Sequence, residues 1–100
     1  MAKGKKEIIS EIKHHISKEG SPYAAWYVGV TEQPQIRLFD DHSVDKDNGW
    51  WIFIPAQTSL VAREIERYFL EALGADGGPR GGDREARYVY AYRKALSTDP

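Results

Sequence analysis

Residues 23–31 constrain the fold of this chain more than any other stretch, because aromatic and β-branched residues alternate there. This pattern is typical of a β-strand, in which successive side chains point to opposite faces. One face carries the apolar residues Ala24, Trp26, Val28 and Val30. The other face carries Tyr27, Gly29 and Thr31. The segment therefore predicts a strand with one apolar face and one mixed face.

Two later segments also have the character of strands. Residues 50–54 are apolar and end at Pro55, which cannot continue a central strand. Residues 88–92 alternate tightly and place three tyrosines, Tyr88, Tyr90 and Tyr92, on one face. Residues 74–83 hold five glycines and one proline, so we expect a flexible, glycine-rich loop over residues 74–87. Such a loop can return the chain, and we predict that residues 88–92 pair beside residues 23–31.

Three segments have helical character. The first, residues 5–19, has isoleucines at helical spacing and a stop at Gly20. The second begins at Pro34 and runs to about His42. The third covers about residues 59–73, is capped by Thr58 or Ser59 and stops at Gly74. Its apolar stripe consists of Val61, Ile65, Tyr68, Phe69, Ala72 and Leu73. From this stripe we expect Val61, Ile65, Phe69 and Ala72 to be buried.

The composition fits one domain. The chain has 100 residues, of which 41% are hydrophobic, and this is enough apolar material for one core. The whole pattern predicts an α+β domain over residues 1–100, with a small three-stranded sheet flanked by about three helices. Residues 1–6 form a basic stretch that we expect to be a disordered tail. No apolar run is long enough for a membrane helix, and we expect no membrane partner and a cytoplasmic location.

The absence of cysteine excludes disulfides, thiol catalysis and thiolate metal sites. The net charge of −1 is not that of a dedicated polyanion binder. Positive charge is concentrated near the two ends of the chain, and it weakly favours an oriented contact with phosphate. In the glycine-rich loop, Arg80 and Arg84 could form a mobile clamp on a substrate, and the alternative is a plain connector.

Three features in the middle of the chain occur in a fixed order. A Tyr-x-Gly tripeptide, Tyr27-Val28-Gly29, ends the first strand. Arg37 follows eight residues after Gly29, on the second helix, and Glu66 follows four residues after Ala62, on the third. In this order the features resemble the GIY-YIG nuclease family over residues 23–73. The resemblance implies hydrolysis of DNA phosphodiesters with one divalent ion, Mg²⁺ or Mn²⁺.

The resemblance also implies roles for individual residues. Glu66 would hold the metal, Tyr27 would orient or deprotonate the attacking water, and Arg37 would stabilise charge on the phosphate. Gly29 would leave room for a substrate to come close. His42 lies one position after the place where many family members carry a histidine. Its alternative interpretation is a surface residue favoured by the helix dipole.

Two family features are missing from this sequence. The family has an earlier strand with a second tyrosine, and residues 18–22 cannot form that strand. The family's late asparagine has no counterpart after Leu73. A tyrosine of the C-terminal strand could take the vacant position, and we select Tyr90. The alternative is a tyrosine-rich edge or interface strand.

Two further alternatives remain open from the sequence. At about 100° per residue, Glu66 falls at the edge of the apolar stripe and Glu64 at the opposite edge, so Glu64 is a rival metal ligand. The whole chain could instead be a non-catalytic member of the fold. Such a module would bind a protein or nucleic acid, or self-associate into a homo-oligomer.

Overall fold

The strand at the centre of the sheet is the one nearest the C-terminus. In the computed structural model, which describes residues 3–77 and 85–100, three antiparallel strands lie in the order β1–β3–β2. Their bounds are Trp26–Thr31 for β1, Trp51–Pro55 for β2 and Tyr88–Arg93 for β3. The predicted pairing of residues 88–92 beside residues 23–31 is confirmed, and β3 also pairs with β2. The predicted α+β architecture, with a small three-stranded sheet and flanking helices, is confirmed as well.

The first helix, α1, spans Lys5–Glu19 and ends as predicted. Gly20 adopts the left-handed conformation with φ 93°, which glycine tolerates without a Cβ penalty. Ile8, Ile12 and Ile16 are buried in the core. The helix includes residues 5–6 of the stretch expected to be a disordered tail, whereas residues 1–2 lie outside the described residues.

The helix α2 spans Ser59–Arg67 and continues as a π-helical segment, Tyr68–Ala72. The Thr58 hydroxyl oxygen accepts a hydrogen bond from the Val61 amide at 3.1 Å, as expected of a cap. The buried stripe differs from the predicted one. It consists of Ala62, Ile65, Glu66 and Phe69, which follow the spacing i, i+3, i+4, i+7.

This stripe corrects two burial predictions. Ala72 is exposed and Val61 is only half-buried, although both were expected in the core. The wider π-helical turn after Arg67 changes the angular phase of the later residues, so Ala72 no longer lies on the stripe. The buried stripe also includes Glu66, whereas the pattern of apolar residues predicts that Glu66 lies at its edge.

The second predicted helix is also wound more widely than expected. Within the predicted span from Pro34 to His42, the structure has a π-helical segment at Ile36–Asp41. The first strand is shorter than predicted, because Tyr23–Ala25 form a 3-10 turn before β1 begins. Ala24 is therefore exposed and does not share the apolar face of the strand.

The two faces of the sheet differ in composition. Trp26, Val28 and Val30 of β1 pack with Val89 and Ala91 of β3 in the main core, under α1 and α2. The opposite face carries the tyrosines of β1 and β3, which pack against Leu38 and Val44. The strand alternation predicted from the sequence is thus confirmed for both strands.

The structure describes both ends of the glycine-rich connection, residues 74–77 and residues 85–87. Its first part adds to the edge of β1, where the Val28 amide donates to the Asp76 carbonyl and the Asp76 amide donates to the Trp26 carbonyl, each at 2.8 Å. Arg80 and Arg84 lie outside the described residues. Among the described helices, none is long and apolar enough to cross a membrane.

Candidate functional site

A cluster of tyrosines occupies the face of the sheet opposite α1 and α2. The Tyr27 ring of β1 stacks against the Tyr92 ring at 5.3 Å and against the Tyr90 ring at 6.3 Å. The cluster forms because the antiparallel register sets Tyr27 opposite Tyr92 and Gly29 opposite Tyr90. The structure therefore brings together Tyr27 and Tyr90, two residues selected from the sequence for catalysis.

Gly29 has a specific packing role beside this cluster. A Cβ at position 29 would lie 2.6 Å from the Tyr90 phenolic oxygen and 2.7 Å from the ring carbon that carries it. Only glycine allows the phenol to lie across the strand at this point. The space over Gly29 is thus filled by Tyr90, whereas the sequence interpretation left it open for a substrate.

His42 is part of the cluster and is buried. Its Nε2 lies 2.8 Å from the Tyr90 hydroxyl, and its Nδ1 lies 2.9 Å from the Asp99 carbonyl oxygen. The carbonyl can only accept, so Nδ1 carries a proton and donates to it; in this tautomer Nε2 is placed to accept from the Tyr90 hydroxyl. The interpretation of His42 as a surface residue at a helix end is wrong, because the imidazole ring is buried and contacts Tyr90 and Asp99.

Burial raises the pKa of Tyr90 and of Tyr92 above the ordinary phenol value. Both phenols therefore stay protonated at neutral pH, and the Tyr90 hydroxyl can donate to His42 Nε2. Neither one can act as a general base in that range. Any proton-accepting role in this cluster falls to another group.

Glu66 is buried, although the sequence placed it at the edge of the apolar stripe. The residue is only 9% exposed to solvent. Burial raises the pKa of Glu66 to about 6, and the nearby Arg63 charge opposes this shift. Its Oε2 atom has no hydrogen-bond partner among the described residues. A buried carboxylate oxygen without a partner is costly, and it indicates a place for a cation or a donor.

The rival carboxylate, Glu64, has a different environment. Its side chain is 49% exposed and lies 3.6 Å from the Lys5 ammonium in a surface ion pair. Glu64 is thus a solvated helix residue, which contributes little to stability or to a site. Of the two carboxylates, Glu66 is the buried one, and its Oε2 atom has no hydrogen-bond partner among the described residues.

The charges of Arg37 and Glu66 both influence the pKa of the Tyr90 phenol. The charge of Arg37 lowers the pKa of Tyr90, whereas the charges of Tyr27 and Glu66 raise it. Glu66 nevertheless lies on the core-facing stripe of α2, whereas Tyr90 lies on the opposite face of the sheet. The Arg37 guanidinium also lies 3.6 Å from the Asp41 carboxylate, and its side chain is about one-third exposed. The guanidinium thus contacts Asp41 and is partly open to solvent.

The donor set limits which metal this site could hold. The described part of the chain contains no group of three or more His, Cys, Asp or Glu side chains placed to share an ion. That part of the chain therefore shows no zinc-type cage. Mg²⁺ and Mn²⁺ bind through one or two carboxylates and take water and substrate phosphates as their other ligands. Glu66 supplies one carboxylate, whose Oε2 atom is buried and has no hydrogen-bond partner among the described residues.

Sequence reasoning missed two members of the cluster. The Tyr92 hydroxyl lies 3.2 Å from His42 Nδ1, and the Asp99 carbonyl accepts from the same nitrogen. The alternation of the C-terminal strand was a signal for Tyr92, which shares a face with Tyr90. Nothing in the local sequence around Asp99 indicates a contact with a residue 57 positions earlier.

No protein-family model, curated protein or solved structure matches this chain.

Proposed function

We propose that this protein is a divergent GIY-YIG-like DNA endonuclease that depends on Mg²⁺ or Mn²⁺. The observation that carries the proposal is the Glu66 carboxylate. It is buried, and its Oε2 atom has no hydrogen-bond partner among the described residues. The charges of Arg37 and Glu66 also influence the pKa of Tyr90, which supports a common role for these residues.

In this proposal Glu66 holds the metal ion through the oxygen that lacks a hydrogen-bond partner. The bound ion would supply positive charge at the phosphate and lower the pKa of a coordinated water. Metal binding requires the ionised carboxylate, and the pKa of about 6 leaves Glu66 ionised at neutral pH. A cation there would also relieve the unfavourable burial of that charge.

Arg37 binds the substrate phosphate. Its guanidinium offers planar, paired donors that match phosphate oxygens, and its contact with Asp41 restricts where it can point. Charge grows on the phosphate oxygens in the transition state, so a fixed cation stabilises that state more than the ground state.

Tyr27 orients the attacking water through its phenolic hydroxyl. The ring is held by stacking on Tyr92 and by the His42 ring at 4.7 Å. Tyr90 takes the place of the family's first tyrosine in the sheet. Because its phenol stays protonated and donates to His42, its role is to position the cluster.

A second candidate function is a non-catalytic binding module of the same fold. It is favoured by half-buried aromatic side chains beside the cluster, where the Trp51 ring stacks on Phe53 at 5.9 Å and meets Phe39 edge to face. Aromatic surfaces of this kind are common in protein and nucleic-acid interfaces. A module of this kind would bind its partner equally well with or without a divalent ion.

Nicking of supercoiled plasmid by the purified protein separates these two functions. The wild type should nick in Mn²⁺ and stop on addition of a chelator. Glu66→Gln, which keeps the size of the side chain and removes its charge, should lose nicking while it remains folded by circular dichroism. Nicking that is insensitive to the chelator would contradict the proposed mechanism.

A further inference from the structure

A pocket of about 440 Å³ lies beside the tyrosine cluster. One wall is formed by Gln33, Gln35 and Ile36, which lead into the π-helical segment, and the other by Phe53 of β2 and Tyr88 of β3. Tyr88 precedes Tyr90 by two residues on the same strand face, so the two side chains are about 7 Å apart. Ile36 directly precedes Arg37. The backbone of Arg37 therefore begins at the edge of the pocket, and its guanidinium, which pairs with Asp41, is outside the lining.

The pocket is lined by aromatic and apolar side chains together with polar ones. The Phe53 and Tyr88 rings meet edge to face at 6.1 Å, and Ile36 is 47% exposed. Gln33 and Gln35 carry side-chain amides, which can both donate and accept hydrogen bonds. A nucleobase has the complementary features, because its faces stack on aromatic rings and its edges form hydrogen bonds.

The charges around the pocket determine which part of a nucleotide it would accept. Glu32 lines the pocket, and its carboxylate would repel a phosphate placed inside. The nearest cation along the chain is Arg37, which directly follows Ile36 and is not part of the pocket lining. This separation favours an uncharged base within the pocket and the phosphate at Arg37.

We propose that this pocket holds an unpaired base of the DNA strand whose phosphate lies at Arg37. This inference rests on the proposed endonuclease function and specifies its substrate as a strand with an exposed or extruded base. A base within a duplex presents only its edges in the grooves and cannot enter the pocket without leaving the stack. Phe53 and Tyr88 are thus the residues that select single-stranded or flipped substrates.

Binding of short strands in EDTA tests this proposal, because no cutting occurs without the metal. The probes are a fluorescent tetrathymidylate and a strand of equal length that has abasic sites throughout, which has the same phosphates and no bases. The wild type should bind the tetrathymidylate at least about fivefold more tightly, as expected for stacking of one base. Phe53→Leu should lose most of this preference, and Trp50→Leu, which removes an exposed aromatic ring beside His15, should retain it.

Backbone amide shifts of the ¹⁵N-labelled wild type give a second measurement that needs no variant. Tetrathymidylate should shift the amides of Gln33, Gln35 and Ile36, whereas the abasic strand should not. Equal affinity for both strands, or shifts confined to other residues, would overturn the proposal. Shifts at these residues that depend on protein concentration without DNA would also overturn it, in favour of self-association.

The outcome is independent of the nicking assay. A chain that keeps its preference for bases but does not nick would contradict the endonuclease function and leave the base pocket supported. A chain that nicks in Mn²⁺ but binds both strands equally would contradict the base pocket alone.

Discussion

The Tyr90 phenol lies across the backbone of Gly29, so close that a Cβ at position 29 would come within 2.6 Å of the phenolic oxygen. The two residues are directly opposed in the β1–β3 register. The phenol cannot move away freely, because it is buried and bound to His42 at 2.8 Å. The position of the tyrosine cluster thus depends on the absence of a side chain at residue 29.

Gly29→Ala should destabilise the protein by about 1–3 kcal/mol, the usual range for overpacking a well-packed site. Urea denaturation measures this loss. In a Tyr90→Ala background the ring is absent, so the same substitution should cost much less. An equal loss in both backgrounds would show that the phenol does not determine the requirement for glycine.

The burial of Glu66 predicts a pH dependence of stability. Its pKa is raised from 4.5 to about 6 in the folded protein, so the folded state binds the proton more tightly than the unfolded state between these values. The contribution of Glu66 to the free energy of unfolding should therefore fall as the pH rises through this window, by about 1–2 kcal/mol. Relative to Glu66→Gln, the wild type should lose this amount between pH 4 and pH 8, measured by urea denaturation. Parallel pH profiles of the two proteins would show that Glu66 is not perturbed.

Mn²⁺ should stabilise the wild type through Glu66. At an ion concentration ten times the Kd, the gain is about 1.4 kcal/mol, which raises Tm by several degrees for a domain of this size. The gain should shrink below about pH 6, because the carboxyl group then holds a proton. Thermal melts with and without Mn²⁺ measure it, and Glu66→Gln is the matched control. A shift of the same size in that variant would place the ion elsewhere.

Ile65 anchors α2 beneath the sheet and is fully buried. Ile65→Ala should cost on the order of 2–5 kcal/mol, because it removes buried methyl groups and leaves a cavity. Leu60→Ala on the same helix is a suitable control, since Leu60 is 65% exposed and its loss should change stability by less than about 0.5 kcal/mol. Comparable losses in the two variants would contradict the observed orientation of the helix.

Local alternation in the sequence was sufficient to predict much of the fold. The period of two at residues 26–31 and 88–92 fixes which side chains share a face, because the geometry of a strand leaves no other choice. It also led to the pairing of β3 with β1, since the glycine-rich connection lets the chain return. The helix stops at Gly20 and Gly74 and the cap at Thr58 depend only on neighbouring residues, so they too could be predicted.

The features that the sequence could not supply all depend on tertiary packing. Glu66 lies within the buried stripe, whereas a pattern of apolar residues alone cannot place a carboxylate there. The π-helical turn after Arg67 shifts the phase of the helix and exposes Ala72. His42 turns inward because Tyr90 and Asp99, both distant in sequence, provide its partners.

The most direct test of the account compares plasmid nicking by three proteins purified in parallel: the wild type, Glu66→Gln and Glu64→Gln. The two variants make the same chemical change on one helix, at a buried carboxylate without a partner and at an exposed one. In Mn²⁺ the wild type and Glu64→Gln should nick at similar rates, and Glu66→Gln should be at least about a hundredfold slower, because the ion loses its protein ligand. Equal traces of nicking in all three preparations would point to a contaminating nuclease and contradict the claim that Glu66 is the metal ligand of an active site.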